Sequence, residues 1–392
     1  MHDALTGLLA QRPVAERETW RSLWHRLGDG TLGKEQAVAL LASLTTRLPG
    51  PETLRALLDT LDERRTAVPA GPWPGTVNTV GTGGGPATFN VSTAAAFVAA
   101  ATGVPVVKTG SRAYTSSLGS IDLLERLGVR PTSSYAQTED TLDRYGIAFA
   151  GPFVYPAELG RLARTVLPLS MKPFGRFLNA LGPFLAALPV TAQVTGVSHT
   201  MPLDALRELA ATETGRRLWL TANDQGADEL LGFADNTVHT HDRGTVDAVR
   251  IGPGQVAPAG GGLDLLRPVE PADAVEHFLG VLSGTGPEAA TQTVCLNAAA
   301  LALAGGHHTD WSTAYAAALD AVASGAARAL AERLRTAPRP SPRTTVITTP
   351  DIPATAVLPQ PPVPETAPPV APVPETAPPA APATTAPEVT RG

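Results

Sequence analysis

A chain of 392 residues with a formal net charge of −6 has ample length to bury a core and no overall attraction for nucleic acid or an anionic membrane, a local basic cleft aside. Its single cysteine, Cys295, rules out an intrachain disulfide; in the apolar run TVCLNAAALALA it reads as a buried structural thiol rather than a nucleophile. The N-terminus lacks the basic-then-apolar order of a signal peptide and no apolar run reaches membrane-spanning length, so a soluble cytoplasmic protein is expected.

From Leu5 to about Arg65, leucines and alanines recur at helical spacing, broken at Gly28, Gly30 and Pro49-Gly50, which predicts three or four short helices. After the linker AVPAGPWPG (67–75) the period changes. VNTVG (77–81) reads as a short buried strand running into glycines, and strand, loop and helix then alternate as in a largely parallel sheet covered by helices. Ser92 or Thr93 is the expected N-cap of a helix that runs through AAAFVAAAT to Gly103. VPVVK then reads as a strand and GSIDLLERLG as a helix closed by Gly128. Further strands are expected at 191–198 and 216–223, and helices at 155–167, in LDALRELAAT, at 271–282, at 286–304 and at 311–335. Near Ala337 the composition turns to Pro, Ala, Thr and Val, with VPETAPPVAP repeated as VPETAPPAAP. Such a stretch buries too little apolar surface to fold, so 337–392 reads as a disordered, extended tail, either solvated or docking a partner.

Two loops carry the chemistry. GTGGG (81–85), followed by Asn90, Ser92 and Thr93, brings glycines to a helix N-terminus, where free N–H groups and the helix dipole suit a phosphate. Alone, such a run is more often an ordinary capped turn. The next strand ends in Lys108 at the same carboxyl edge, in a chain with lysine only at 34, 108 and 172 among 30 basic residues. The loop after it, TGSRAYTSSLGS, adds hydroxyls, glycines and Arg112. No catalytic triad or paired-carboxylate signature is present.

The segment GTGGGPATFNVSTAAAFVAAATGVPVVKTGSRAYTSSLGSIDLLERLGV resembles the core of the anthranilate phosphoribosyltransferase family, which also includes pyrimidine nucleoside phosphorylases. The likeness continues through GIAFAGPFVYPAE, FLNALGP, QVTGVSH, ADEL and VCLNAAALAL, over about residues 1–335. It implies an α/β protein with a small all-helical domain (1–70, completed by part of 155–190) and a larger α/β domain (71–336) with a mostly parallel central sheet. It also implies a homodimer, and phosphoribosyl pyrophosphate and Mg²⁺ bound between the domains. By position, Gly81, Gly83, Gly84, Thr88, Asn90, Ser92, Thr93, Lys108 and Ser120 would bind the donor, while Asp228, Glu229 and Ser92 would hold the metal. Hard oxygen ligands suit Mg²⁺.

The sequence departs from that family at places that cluster. GTGGG replaces GTGGD, and KTGSR replaces KHGNR, putting Thr109 and Ser111 at the histidine and asparagine. Ser117 and Leu118 stand for a lysine and a serine, Val154 and Tyr155 for paired histidines, and Gly175 for an arginine, with Arg176 one place later. In the family the histidines, asparagine and arginine at these positions handle anthranilate, and losing them together changes which acceptor leaves no buried group unpaired, whereas the missing aspartate and lysine bear on the donor. Thr109, Ser111, Tyr114, Tyr155 and Arg176 are the acceptor candidates here. The leading expectation is a divergent phosphoribosyl- or glycosyltransferase of specialised, natural-product metabolism, with a related sugar phosphate as alternative donor and a non-anthranilate small molecule as acceptor. A nucleoside phosphorylase-like enzyme, and a catalytically inactive ligand- or nucleic-acid-binding protein on the same fold, are the other readings. Nucleic-acid binding is the weaker one, given the negative total charge and the scarcity of lysine.

Overall fold

The computed structural model describes residues 1–65, 67–110 and 118–337. No helix among them is long and apolar enough to cross a membrane. Four helices open the chain: α1 (Asp3–Leu9), α2 (Arg17–Gly28), α3 (Lys34–Thr46) and α4 (Pro51–Asp62). The periodicity of α2 shows why: Trp20, Leu23, Trp24 and Leu27 are its buried residues, at the spacing of one helix face. The two indoles stack with centroids 5.8 Å apart, and their N–H groups donate to the Val14 carbonyl at 2.9 Å and to Thr60 Oγ1 at 3.0 Å.

The remaining elements follow in order: β1 (Trp73–Gly81), α5 (Val91–Ala101), β2 (Val106–Thr109), α6 (Ser120–Leu127), α7 (Tyr135–Tyr145), β3 (Ile147–Ala150), α8 (Ala157–Thr165), α9 (Gly175–Leu185), β4 (Val190–Gly196), α10 (Leu203–Ala210), β5 (Arg217–Asn223), β6 (Asn236–Asp242), β7 (Thr245–Ile251), α11 (Ala274–Leu282), α12 (Glu288–Ala304), α13 (Trp311–Ala323) and α14 (Ala326–Arg335). The strands form one sheet in the order β3-β2-β1-β4-β5-β6-β7. Pairing is parallel from β3 to β5 and antiparallel for β6 and β7, which gives the expected α/β class with a mostly parallel sheet. The chain lays β2 and β3 on one side of β1, then returns to lay β4 and β5 on the other. The strand order therefore reverses between β1 and β4, where parallel sheets open a crevice at their carboxyl ends. Gly81 and Gly196 face each other in register there.

Alternation along the strands separates the cores. Val106 of β2 joins a cluster with α5 and α11 to α14, while its neighbour Val107 joins another with Trp73, Leu142 and Val190. A third cluster unites α1 to α4 with Leu162 of α8, Phe177 and Leu181 of α9, Leu206 of α10, and Leu218 and Leu220 of β5. Glu158, 1% exposed, ties α8 to the end of α4 through Arg64 at 2.8 Å and also pairs with Arg161 at 2.9 Å. Cys295 is buried in α12, and burial pushes its thiol up to about 12, which agrees with a structural role.

Several expectations need correction. Asn90, not Ser92 or Thr93, is the N-cap of α5, because the carbonyl of Asn90 already accepts from the amides of Thr93 and Ala94. The 311–335 helix is two helices, broken where Gly325 takes φ +76°. Strand β3, helices α7 and α9 and the β6–β7 hairpin were not anticipated. Helix α9 contains Gly175, Gly182 and Pro183, residues that weaken a helical reading, and the hairpin turns through Arg243 and Gly244 at φ 49° and 86° without an Asn-Gly signal. The tail from residue 338 onward lies outside the described residues.

Candidate functional site

At the switch point the loops after β1, β5 and β4 converge, the last through Ser198. The first leaves β1 as Gly81-Thr82-Gly83-Gly84-Gly85, with Gly83 and Gly84 at φ +61° and +78°, a region open to glycine at no steric cost. The Thr82 amide donates to the Gly196 carbonyl at 2.8 Å, and Ser198 closes the loop through Oγ on the Gly83 carbonyl at 2.6 Å and its own amide on Thr82 Oγ1 at 3.1 Å. The second loop follows β5 and brings Asp228 over β1 and β4. A Cβ at Gly81 would overlap the Asp228 carboxylate, and one at Gly196 its main-chain carbonyl, so the paired glycines form a floor on which Asp228 lies. The Gly83 amide then donates to Asp228 Oδ2 at 2.8 Å.

Glu229 is 7% exposed and receives the Thr88 hydroxyl on Oε1, while its Oε2 is buried with no hydrogen-bond partner among the described residues. Burial and the adjacent Asp228 charge push the Glu229 carboxyl well above the usual carboxylate range. Burial also raises Asp228, and the Gly83 amide opposes that rise. Lys108, at 3% exposure, is the penultimate residue of β2 and donates from Nζ to Ser92 Oγ at 3.0 Å and to the Thr79 carbonyl at 3.5 Å. Burial lowers its pKa to about 8, with Asp228 and Glu229 pulling the other way.

Two carboxyl groups side by side, one oxygen lacking a partner, with a threonine hydroxyl beside them, make a hard-oxygen set short of positive charge. That fits Mg²⁺, which takes one or two carboxylates and leaves its other positions to water and substrate oxygens. Among the described residues no group of three or more His, Cys, Asp or Glu gathers as a metal cage, so the acidic pair stands without a further ligand of those types.

Of the residues singled out from sequence, Gly81, Gly83, Gly84, Thr88, Asn90, Ser92, Lys108, Asp228 and Glu229 come together here. Asn90 reaches the second family loop through Nδ2 on the Leu118 carbonyl at 3.4 Å. Thr93 is fully buried beneath them with its hydroxyl unpartnered among the described residues, and Ser92 offers its oxygen to Lys108. Ser120 opens α6 and packs against Gly110. Thr109 is also fully buried: its amide and hydroxyl both donate to Asn78 Oδ1, at 3.2 and 3.4 Å, so this hydroxyl faces the sheet interior and not the crevice. Tyr155 is half-buried between two apolar clusters. Arg176 is exposed on the first turn of α9, three residues before Asn179, whose amide nitrogen lies 3.9 and 3.8 Å from where Cβ atoms at Gly83 and Gly84 would stand. Ser111 and Tyr114 lie outside the described residues.

Sequence reasoning missed Asn179, Ser198, Thr200 and the amide pair Asn78–Gln193. Gln193 Oε1 accepts from Asn78 Nδ2 at 2.8 Å, and its Nε2 donates to the Pro183 carbonyl at 3.1 Å and Thr195 Oγ1 at 2.9 Å. This polar layer joins β1, β2, β4 and α9 directly below the site. The available signal was amides inside the apolar strands VNTVG and TAQVTG, where an unpaired polar group would be costly.

Residues 74–328 match the glycosyl transferase family, a/b domain. The chain is 32% identical to the anthranilate phosphoribosyltransferase of Methylorubrum extorquens (strain PA1) over 84% of its own length and 96% of the relative. The crystal structure of the Thermus thermophilus anthranilate phosphoribosyltransferase superposes with a TM-score of 0.70 at 28% identity, covering 85% of this chain and 98% of that one. A Saccharomyces cerevisiae anthranilate phosphoribosyltransferase in complex with PRPP and Mg shares the fold at 20% identity, with a TM-score of 0.66 and coverage of 85% and 96%. With its glycine loop, buried lysine and acidic pair at the switch point of the sheet, the chain belongs to the anthranilate phosphoribosyltransferase family of glycosyl transferases.

Proposed function

We propose that this protein is a phosphoribosyltransferase that takes its ribose 5-phosphate unit from phosphoribosyl pyrophosphate with Mg²⁺ and passes it to an acceptor other than anthranilate, in specialised metabolism. The observation that carries the donor half is the Gly83 amide holding Asp228 over the paired glycines Gly81 and Gly196, with Glu229 and Lys108 beside it. Asp228 and Glu229 would hold Mg²⁺, which neutralises pyrophosphate charge when bound. Helix α5 directs its N-terminus at the same place, and Lys108 supplies a buried cation there.

The reaction follows from where charge develops. An acceptor lone pair forms a bond to ribose C1 on the face opposite the leaving group while the C1–O bond to pyrophosphate breaks, with inversion, and the acceptor proton passes to solvent. Negative charge grows on the departing pyrophosphate, where Lys108 and the N-terminus of α5 stabilise it. No nucleophilic side chain is needed.

The acceptor half rests on Thr109, Tyr155 and Gly175 standing where the family carries histidines and arginine, with Arg176 exposed one place later. Two lobes are part of the same reading, the helices α1 to α4 with α8 to α10 forming one. So is a homodimer.

Calorimetry with phosphoribosyl pyrophosphate and Mg²⁺ tests the donor half. Binding is expected for the wild type and is lost in Asp228→Ala and Glu229→Ala; absence of heat with the wild type sinks it. Incubation with anthranilate tests the acceptor half, and rapid formation of phosphoribosyl anthranilate overturns it.

A further inference from the structure

The loop that carries the acidic pair is gripped at its turn by a residue with no place in the donor site described above. We infer that His199 is a positioning residue for the metal-binding carboxylates, acting through Gly226; this rests on the donor reading proposed above. The Gly226 carbonyl receives two donors from that one residue, the His199 amide at 3.1 Å and the ring Nδ1 at 3.0 Å. A carbonyl only accepts, so Nδ1 carries the proton and the ring is held in one orientation.

Gly226 sits at φ +73°, and a Cβ there would overlap the His199 ring. On its other side the same carbonyl comes within 2.7 Å of where a Cβ at Gly85 would stand. The carbonyl is thus wedged between the imidazole and the glycine loop, two residues before Asp228. The rest of the loop is tied elsewhere: Asn223 Nδ2 donates to the carbonyls of Ala227 at 3.1 Å and Glu229 at 2.6 Å, and Asn297 exchanges two bonds with Leu230, at 3.0 and 2.8 Å. Asn223 Oδ1 also accepts the amides of Gln225 at 3.0 Å and Ala227 at 3.3 Å, so Asn223 ties the loop to itself and Asn297 holds its far end, whereas His199 joins the turn to the glycine-loop side of the site. Its own position is set by Ser198, bonded to the Gly83 carbonyl, and by Thr200, whose hydroxyl lies 2.9 Å from where a Cβ at Gly84 would stand. His199 therefore couples the glycine loop to the acidic loop. The ring itself is exposed and fills no core space.

The test uses the full chain with His199→Ala and His199→Asn, since an asparagine amide can place an N–H near the Nδ1 position. Hydrogen exchange of the amides at 224–229 in the ligand-free protein reads the clamp. The Mg²⁺ concentration giving half-maximal calorimetric binding of phosphoribosyl pyrophosphate reads its consequence. His199→Ala is expected to speed exchange there and to raise the Mg²⁺ requirement by about ten-fold or more, as loss of a group supporting metal ligands does. His199→Asn is expected to restore both. Unchanged exchange and Mg²⁺ dependence in His199→Ala overturn the inference. Failure of asparagine to restore the Mg²⁺ dependence while exchange is normal also overturns it, by assigning the effect to ligand contact through Nε2. A wild type that binds no donor removes the metal role together with the donor reading, while faster exchange in His199→Ala alone shows that the clamp exists without it.

Discussion

The amide of Gly83 donates to Asp228 Oδ2 at 2.8 Å, joining two loops 145 residues apart in sequence by one bond at the point where the strand order reverses. That bond is possible only because Asp228 lies directly on Gly81 and Gly196, which face each other across β1 and β4.

Gly196→Ala is therefore expected to push Asp228 off its floor, because the new methyl overlaps the Asp228 carbonyl. Overpacking of this kind costs about 1–3 kcal/mol. A chain that still melts cooperatively yet no longer binds phosphoribosyl pyrophosphate with Mg²⁺ is the expected result, read by calorimetry and thermal unfolding together. Wild-type donor affinity in this variant contradicts the floor.

Lys108→Met keeps the length of the side chain and removes its charge. Since burial dominates the environment of Lys108, loss of the charge is expected to leave the urea midpoint equal or higher. Turnover is expected to fall about 10²- to 10³-fold, the scale for losing one fixed electrostatic stabiliser. Stability lost without a change in turnover would place Lys108 in the scaffold alone.

Asn78→Ala leaves the Thr109 amide and Gln193 Oε1 without their partner in a layer where Asn78, Gln193 and Thr109 are all fully buried. The expected cost is about 1–3 kcal/mol in urea unfolding. A loss below about 0.5 kcal/mol, the lower end for one hydrogen bond, means water replaces the amide.

Burial holds His2, His239, His241 and His277 below the ordinary histidine value of 6.5. Arg26 adds to the effect at His2, and Arg207 at His239 and His241. Between the lowered values and 6.5 the unfolded chain binds protons that the folded chain refuses. Stability is thus complete above pH 6.5 and falls as pH drops through the window below it. His241, 3% exposed with neither ring nitrogen partnered among the described residues, is the sharpest probe. Thermal unfolding of His241→Phe between pH 5 and 8 is expected to show a shallower acid loss than the wild type; an identical slope removes His241 from the effect.

The sequence by itself determined what depends on local pattern. Helical spacing marked α2 through Trp20, Leu23, Trp24 and Leu27, and the glycine run marked the turn ahead of α5. An isolated lysine after an apolar strand marked Lys108, and the family likeness added Asp228 and Glu229. Apart from the family likeness, each of these signals lies within a short run of sequence, where backbone preference and burial of one face are enough to specify the element.

Only the tertiary structure decided which of those residues meet and which turn away. Thr93 and Thr109 have suitable hydroxyls at suitable places in sequence, yet strand and helix geometry sends both into the interior. Helix α9 forms across Gly182 and Pro183 because packing of Phe177 and Leu181 outweighs poor local propensity, and it brings Asn179 to the glycine loop. The floor of Gly81 and Gly196, the Asn78–Gln193 layer and the His199 grip on Gly226 all join strands and loops far apart in the chain. Their partners are set by strand order and register, which no local run of residues encodes.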